Sequence, residues 1–193
     1  FTPEEQLEKI AQKVRPLYKL RDSIFKDVSQ TLEKEGIERC TYEQLTKEEK
    51  KYLKDYFEVM IQPILSPIVM GKQHPFPHIP NKVLQIGLML KKKDKNYFAI
   101  ISVPKDLDSI IFLSKEKQRF ILLEEVILEF CDSLFENYTI LEKCVLSVTR
   151  SADINPDDEI YETTDDYREH MKKIIKMRSR LEPVRLEVYG KEH

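Results

Sequence analysis

Arg150 stands at the end of an apolar run, in Val148-Thr149-Arg150-Ser151-Ala152-Asp153. A guanidinium at a strand end presents a planar fork that fits phosphate or carboxylate. An internal pair with an acid such as Asp153 satisfies the same fork and is set slightly ahead of phosphate. His74-Pro75-Phe76-Pro77-His78 offers two imidazoles four residues apart. On a helix that spacing would suit a metal ion, but Pro75 and Pro77 exclude the helix, and no Cys or acid cluster lies beside them. The expected arrangement is a rigid loop with Phe76 packed and His74 capping backbone groups. Asp157, Asp158, Glu159, Glu162, Asp165 and Asp166 lack the central Gly and terminal Glu of a calcium loop, and read as a solvated stretch before a helix.

Other chemistries find no frame. Cys40, Cys131 and Cys144 are odd in number and widely spaced, so buried free thiols are expected rather than disulfides or a zinc site. Ser, His and acidic residues are scattered without a local pattern that pairs a nucleophile with a base. With only 4 Gly, the chain has no GxGxxG, GxxxxGK[ST] or GxSxG pattern.

The elements that carry these residues are legible from periodicity. In 193 residues, 41% hydrophobic and 34% charged, there is material for one ordinary domain with a small attached element. Lys and Arg total 32 against 34 Asp and Glu, a net charge of -2 that is too balanced for a polyanion binder working by bulk charge, so no nucleic acid partner is expected. No apolar window reaches the roughly 18 residues of a spanning helix, and no basic-then-apolar signal segment opens the chain. The expected location is cytoplasmic, with a peripheral position at the inner membrane face left open.

Thr2-Pro3-Glu4-Glu5 has the chemistry of a helix start, and Leu7, Ile10, Val14, Leu17, Ile24, Val28 and Leu32 continue an apolar stripe to a stop at Gly36. Pro16 inside the stripe predicts a kink or break near Arg15. A helix this long with one apolar face needs partners, which suggests part of a bundle cut away. Thr46-Lys47-Glu48-Glu49 opens a second amphipathic helix ending near Pro63, after which Pro67, Pro75, Pro77 and Pro80 impose an extended loop.

Val83 to Leu90 and Tyr97 to Val103 read as a hairpin, with the charged run Lys91 to Asn96 as its solvated tip. Ser109 to Leu113, the return through Phe120 to Leu122, Leu141 to Thr149 and Val184 to Tyr189 are further strands. Helical faces are expected from Leu123 to Leu134 and after Thr164. Strands mixed with helices, without strict alternation, give an α+β fold: a mixed, largely antiparallel sheet with helices packed on it, preceded by a long N-terminal helix.

Five segments in order, Leu65-Ser66-Pro67, His74-Pro75-Phe76-Pro77, Arg119-Phe120-Ile121-Leu122-Leu123-Glu124, Val148-Thr149-Arg150-Ser151-Ala152-Asp153 and Glu182-Pro183-Val184-Arg185-Leu186, resemble the middle, or head, domain of bacterial polyphosphate kinase. The resemblance spans nearly the whole chain. It implies that residues 1–36 are the last helix of an N-terminal helical domain and 37–193 the middle domain. It implies an enzyme that reversibly moves the terminal phosphate of ATP onto polyphosphate, through a phosphohistidine and with Mg2+. The family's catalytic histidines and most phosphate-binding arginines lie beyond the segment where this chain nearly ends, and its N-terminal Asn-Leu-Asp-Glu segment has no counterpart here. His74, His78, His170 and His193 match none of the family's histidine motifs. No catalytic residue, metal ligand, ATP or Mg2+ is therefore carried over to this chain, and the absence of an initiator Met is read as the mark of an excised piece.

What the resemblance leaves to the chain is scaffolding for the remaining domains of the same polypeptide and contacts in a homodimer. A second expectation is that Arg150, Arg185, Arg119 and His74 border the path of polyphosphate. A third sets the resemblance aside for a stand-alone protein-interaction domain.

Overall fold

The computed structural model describes residues 2–71, 76–113, 118–151 and 182–189. The first helix, α1 (Pro3–Lys34), starts as its residues dictate: the Glu5 N–H donates to Thr2 Oγ1 at 3.2 Å and the Thr2 N–H donates to Glu5 Oε2 at 3.0 Å. It stops at Gly36, whose φ of 83° lies in the left-handed region that glycine enters without steric cost. Between these ends the helix is unbroken through Pro16, so of the kink or break expected near Arg15 the break is ruled out. Proline removes one backbone donor, and flanking Lys, Val, Leu and Tyr residues continue the ladder on both sides. None of its residues is buried: Leu7, Ile10, Leu17, Leu20, Ile24 and Phe25 are each more than half exposed.

The described residues divide into two compact units, Phe1–Leu53 with Ile110–Leu122, and Lys54–Ser109 with Leu123–His193. In the first unit α1 leads into β1 (Ile37–Arg39), and α2 (Lys47–Tyr56) begins at a second reciprocal cap. There Glu49 N–H donates to Thr46 Oγ1 at 3.2 Å and Thr46 N–H to Glu49 Oε2 at 2.8 Å. Strands β5 (Ile110–Phe112) and β6 (Gln118–Leu122) form the expected antiparallel pair, and β1 adds to β6 in parallel, giving the order β1-β6-β5. Cys40, Leu45, Leu53, Ile111 and Ile121 are its buried apolar residues.

The second unit is a five-stranded antiparallel sheet, ordered β2-β4-β3-β7-β8. Its strands are β2 (Ile68–Val69), β3 (Leu84–Lys92), β4 (Lys95–Ser102), β7 (Thr139–Arg150) and β8 (Pro183–Tyr189). The β3–β4 hairpin extends further than expected, into the charged run, leaving only Lys93 and Asp94 as its loop. On one face of β3, Ile86, Leu88 and Leu90 are buried, as are Leu123, Val126 and Ile127 of α3 (Leu123–Phe130), which packs on β3 and β7. Phe130 tilts against Phe57, with ring centroids 5.5 Å apart, in the π-helical turn Phe57–Ile61 that follows α2. On the other face, Ile79, Ile100, Leu146 and Val148 form a smaller core, with Phe76 stacked on Phe98 at 6.2 Å. The fold is thus α+β with mixed, largely antiparallel sheets. The helix expected after Thr164 lies outside the described residues.

Gly87 shows why β3 needs a glycine at its middle. A Cβ there would lie 2.6 Å from Leu146 Cδ2 and 3.5 Å from the Phe98 ring, so any larger residue requires Leu146 to shift within the second core.

Candidate functional site

Arg119 is placed by the parallel pairing of β1 and β6, in which Glu38 is its direct register partner. Its Nε donates to Glu38 Oε2 at 2.9 Å, and its Nη1 donates to Glu49 Oε1 in a second, close ion pair. The guanidinium and the Glu49 carboxylate are largely covered, whereas Glu38 is partly open to solvent. Burial alone raises the Glu49 carboxyl. The Thr46 N–H and the Arg119 fork outweigh it, and the group ends below the ordinary carboxylate range. The node therefore ties β1, the first turn of α2 and β6 together through one cation. Glu38 and Glu49 as its partners went unseen in the sequence. The one local signal was Glu49, three residues after the cap of a capping box.

Arg150, at the end of β7, fastens the proline loop. Its Nε donates to the Ile79 carbonyl at 2.9 Å and its N–H to Asn81 Oδ1 at 2.9 Å; the Lys82 N–H donates to the Val148 carbonyl at 2.8 Å. Lys82 takes a φ of 55° to make that bond. Asp153, the expected acid partner of Arg150, lies outside the described residues, as does His74. Arg185, on the outer strand β8, donates through Nη2 to Glu187 Oε1 at 2.6 Å, its side chain 40% exposed. Among the described residues each of Arg119, Arg150 and Arg185 is engaged with a protein acceptor.

The three cysteines are free thiols, two of them buried. Burial pushes the Cys131 thiol up to about 12, against the opposing pull of Lys143, and raises Cys40 and Cys144 as well. None is held as a reactive thiolate. Among the described residues no group of three His, Cys, Asp or Glu side chains gathers as a metal site, and no helix is long and apolar enough to cross a membrane.

The sequence model of the polyphosphate kinase middle domain matches residues 48–192. The chain belongs to the polyphosphate kinase family. A polyphosphate kinase from Bacillus cereus is 37% identical over 202 residues, an alignment that covers 100% of this chain and 28% of the relative. One from Exiguobacterium sibiricum is 35% identical over 193 residues, covering 97% of this chain and 26% of the relative. The crystal structure of polyphosphate kinase from Porphyromonas gingivalis superposes with a TM-score of 0.70 at 26% identity, covering 79% of this chain and 25% of that one. The chain thus spans about a quarter of the length of the polyphosphate kinases it matches.

Proposed function

We propose that this chain is the head domain of an ATP-polyphosphate phosphotransferase, holding the remaining domains and a second subunit in register without supplying catalytic groups. Residues 1–36 are then the last helix of an N-terminal helical domain and 37–193 the head. The observation that carries this reading is how the candidate arginines are used: Arg119 is clamped by Glu38 and Glu49, and Arg150 secures Ile79 and Asn81. Phosphoryl transfer depends mainly on positioning and charge stabilisation, so a part with no reacting group still sets the rate by fixing the geometry of the others. The exposed apolar faces of α1 and of Val184, Leu186 and Val188 on β8 supply surface for such contacts. Family membership favours this role over that of a stand-alone interaction domain.

ATP and Mg2+ belong to the whole enzyme in this reading. The described residues offer no donor set for the metal, so no transfer step is assigned to them. A second reading, in which Arg150, Arg185, Arg119 and His74 border the polyphosphate path, draws its support from Arg185, whose side chain is 40% exposed on the outer strand.

The deciding experiment has two arms. The isolated chain is expected to show no ATP-polyphosphate exchange above a no-protein control, and robust turnover would sink the scaffold. In the whole enzyme, Arg150→Ala is expected to weaken use of ATP and of long polyphosphate alike. A loss confined to polyphosphate would favour the second reading.

A further inference from the structure

The tip of the β3–β4 hairpin carries Lys91, Lys92, Lys93 and Lys95 against a single acid, Asp94, and all five are exposed. Two other lysines make ion pairs, Lys143 with Asp132 at 2.7 Å and Lys54 with Glu58 at 3.8 Å. None of the four tip lysines makes an ion pair among the described residues.

Two choices at this tip cost stability. Lys92 and Lys95 are direct cross-strand partners, so two like charges face each other on one side of the hairpin, an arrangement that destabilises a strand pair. Lys93 opens the two-residue loop with a φ of 55°, where glycine or asparagine is the low-strain residue. β3 is an interior strand of its sheet, so the common use of lysine to blunt a sheet edge does not account for Lys91 and Lys92. The tip is nevertheless firmly seated: Lys92 Nζ lies 5.0 Å from the centroid of the Tyr138 ring, and Tyr97 meets that ring edge-on at 5.8 Å. A cluster that breaks local rules on a rigid support is the pattern expected of a site for an anion that relieves the repulsion when it arrives.

We infer that this hairpin tip is a binding site for a linear polyanion of closely spaced phosphates, with Lys92, Lys93 and Lys95 as its principal contacts and the Tyr138 ring fixing Lys92. Lysine acts on phosphate as a point charge rather than a directional fork, and so suits a chain that must slide more than one that must be fixed in register. The choice of inorganic polyphosphate as that polyanion rests on the substrate reading given above. The site itself does not need the scaffold role, since turnover by the isolated chain would end that role and leave this site untouched.

The test is titration of the chain with long-chain polyphosphate at two salt concentrations, with orthophosphate and a single-stranded RNA as comparison ligands. Replacing Lys92, Lys93 and Lys95 together by Gln is expected to weaken polyphosphate binding at least about 10-fold at low salt and to flatten the salt dependence by about 2–3 in the logarithmic slope. The triple Arg replacement should keep both. Lys93→Gly provides a control that folding cannot confuse. It removes the strain together with one charge, so the midpoint of unfolding should rise while affinity falls about 2–5-fold. Unchanged affinity in the triple Gln variant, or in Lys93→Gly, would overturn the site. RNA binding tighter than polyphosphate at equal charge would overturn its assignment to polyphosphate.

Discussion

Replacing Arg119 by Met is expected to cost the first unit about 2–4 kcal/mol. Glu38 is 42% exposed, so its pair with Arg119 contributes at most about 1 kcal/mol. Glu49 is different, because its carboxylate is only 12% exposed and loses a charge-assisted bond that solvent replaces poorly, worth about 1.5–3 kcal/mol. For a chain of this size the loss lowers the unfolding midpoint by about 4–16 °C. Thermal unfolding followed by circular dichroism reads it directly. The pH dependence gives a second test. Because the folded Glu49 carboxyl lies below its ordinary value of 4.5, the stabilisation is fully present above that value. It is lost as pH falls through the lower folded value, so the gap between wild type and Arg119→Met should close on acidification below about pH 4.5. A double-mutant cycle with Glu49→Gln isolates the pair. A gap below about 0.5 kcal/mol at pH 7, or one that widens in acid, would refute the clamp.

Two further outcomes follow from the second unit. Gly87→Ala should destabilise it by about 1–3 kcal/mol, because Leu146 must swing out of the smaller core to admit the new methyl; urea denaturation measures this, and pairing with Leu146→Ala should recover part of the loss. Cys131, fully buried with its thiol pushed up to about 12, should resist a thiol reagent at pH 8 in the native chain and react on unfolding, so native reactivity equal to that in denaturant would contradict the packing.

The parts of this fold set by local chemistry were readable in the residues. Thr2 and Thr46 announced their helices because a cap is made within three residues, and Gly36 announced the stop because a left-handed turn there suits only a few side chains. The hairpin and β7 were visible in their apolar runs. What escaped was made at long range. β1 is three residues with no periodicity, and it is a strand only because Gln118 to Phe120 lie beside it. β2, two residues long, is defined in the same way by β4. Pro16 was read by its local cost alone, whereas a long ladder absorbs one missing donor. At the candidate site, the identity of Arg150 and Arg119 as notable residues was visible, but their use was not. An arginine fork looks the same in sequence whether it awaits a phosphate or is already filled by a carboxylate 70 residues away.

The parallel pairing of β1 with β6 also sets an order in time. Arg119 and Glu38 are 81 residues apart, so during synthesis β1 leaves the ribosome about 4–16 s before its partner strand exists. Through that interval Ile37–Arg39 has no ladder to join, and closing so long a loop is the slow, entropically costly event of the first unit. The carboxylates of Glu38 and Glu49 are in place first and Arg119 arrives last, so the ion-pair clamp acts as the latch that ends assembly of this unit.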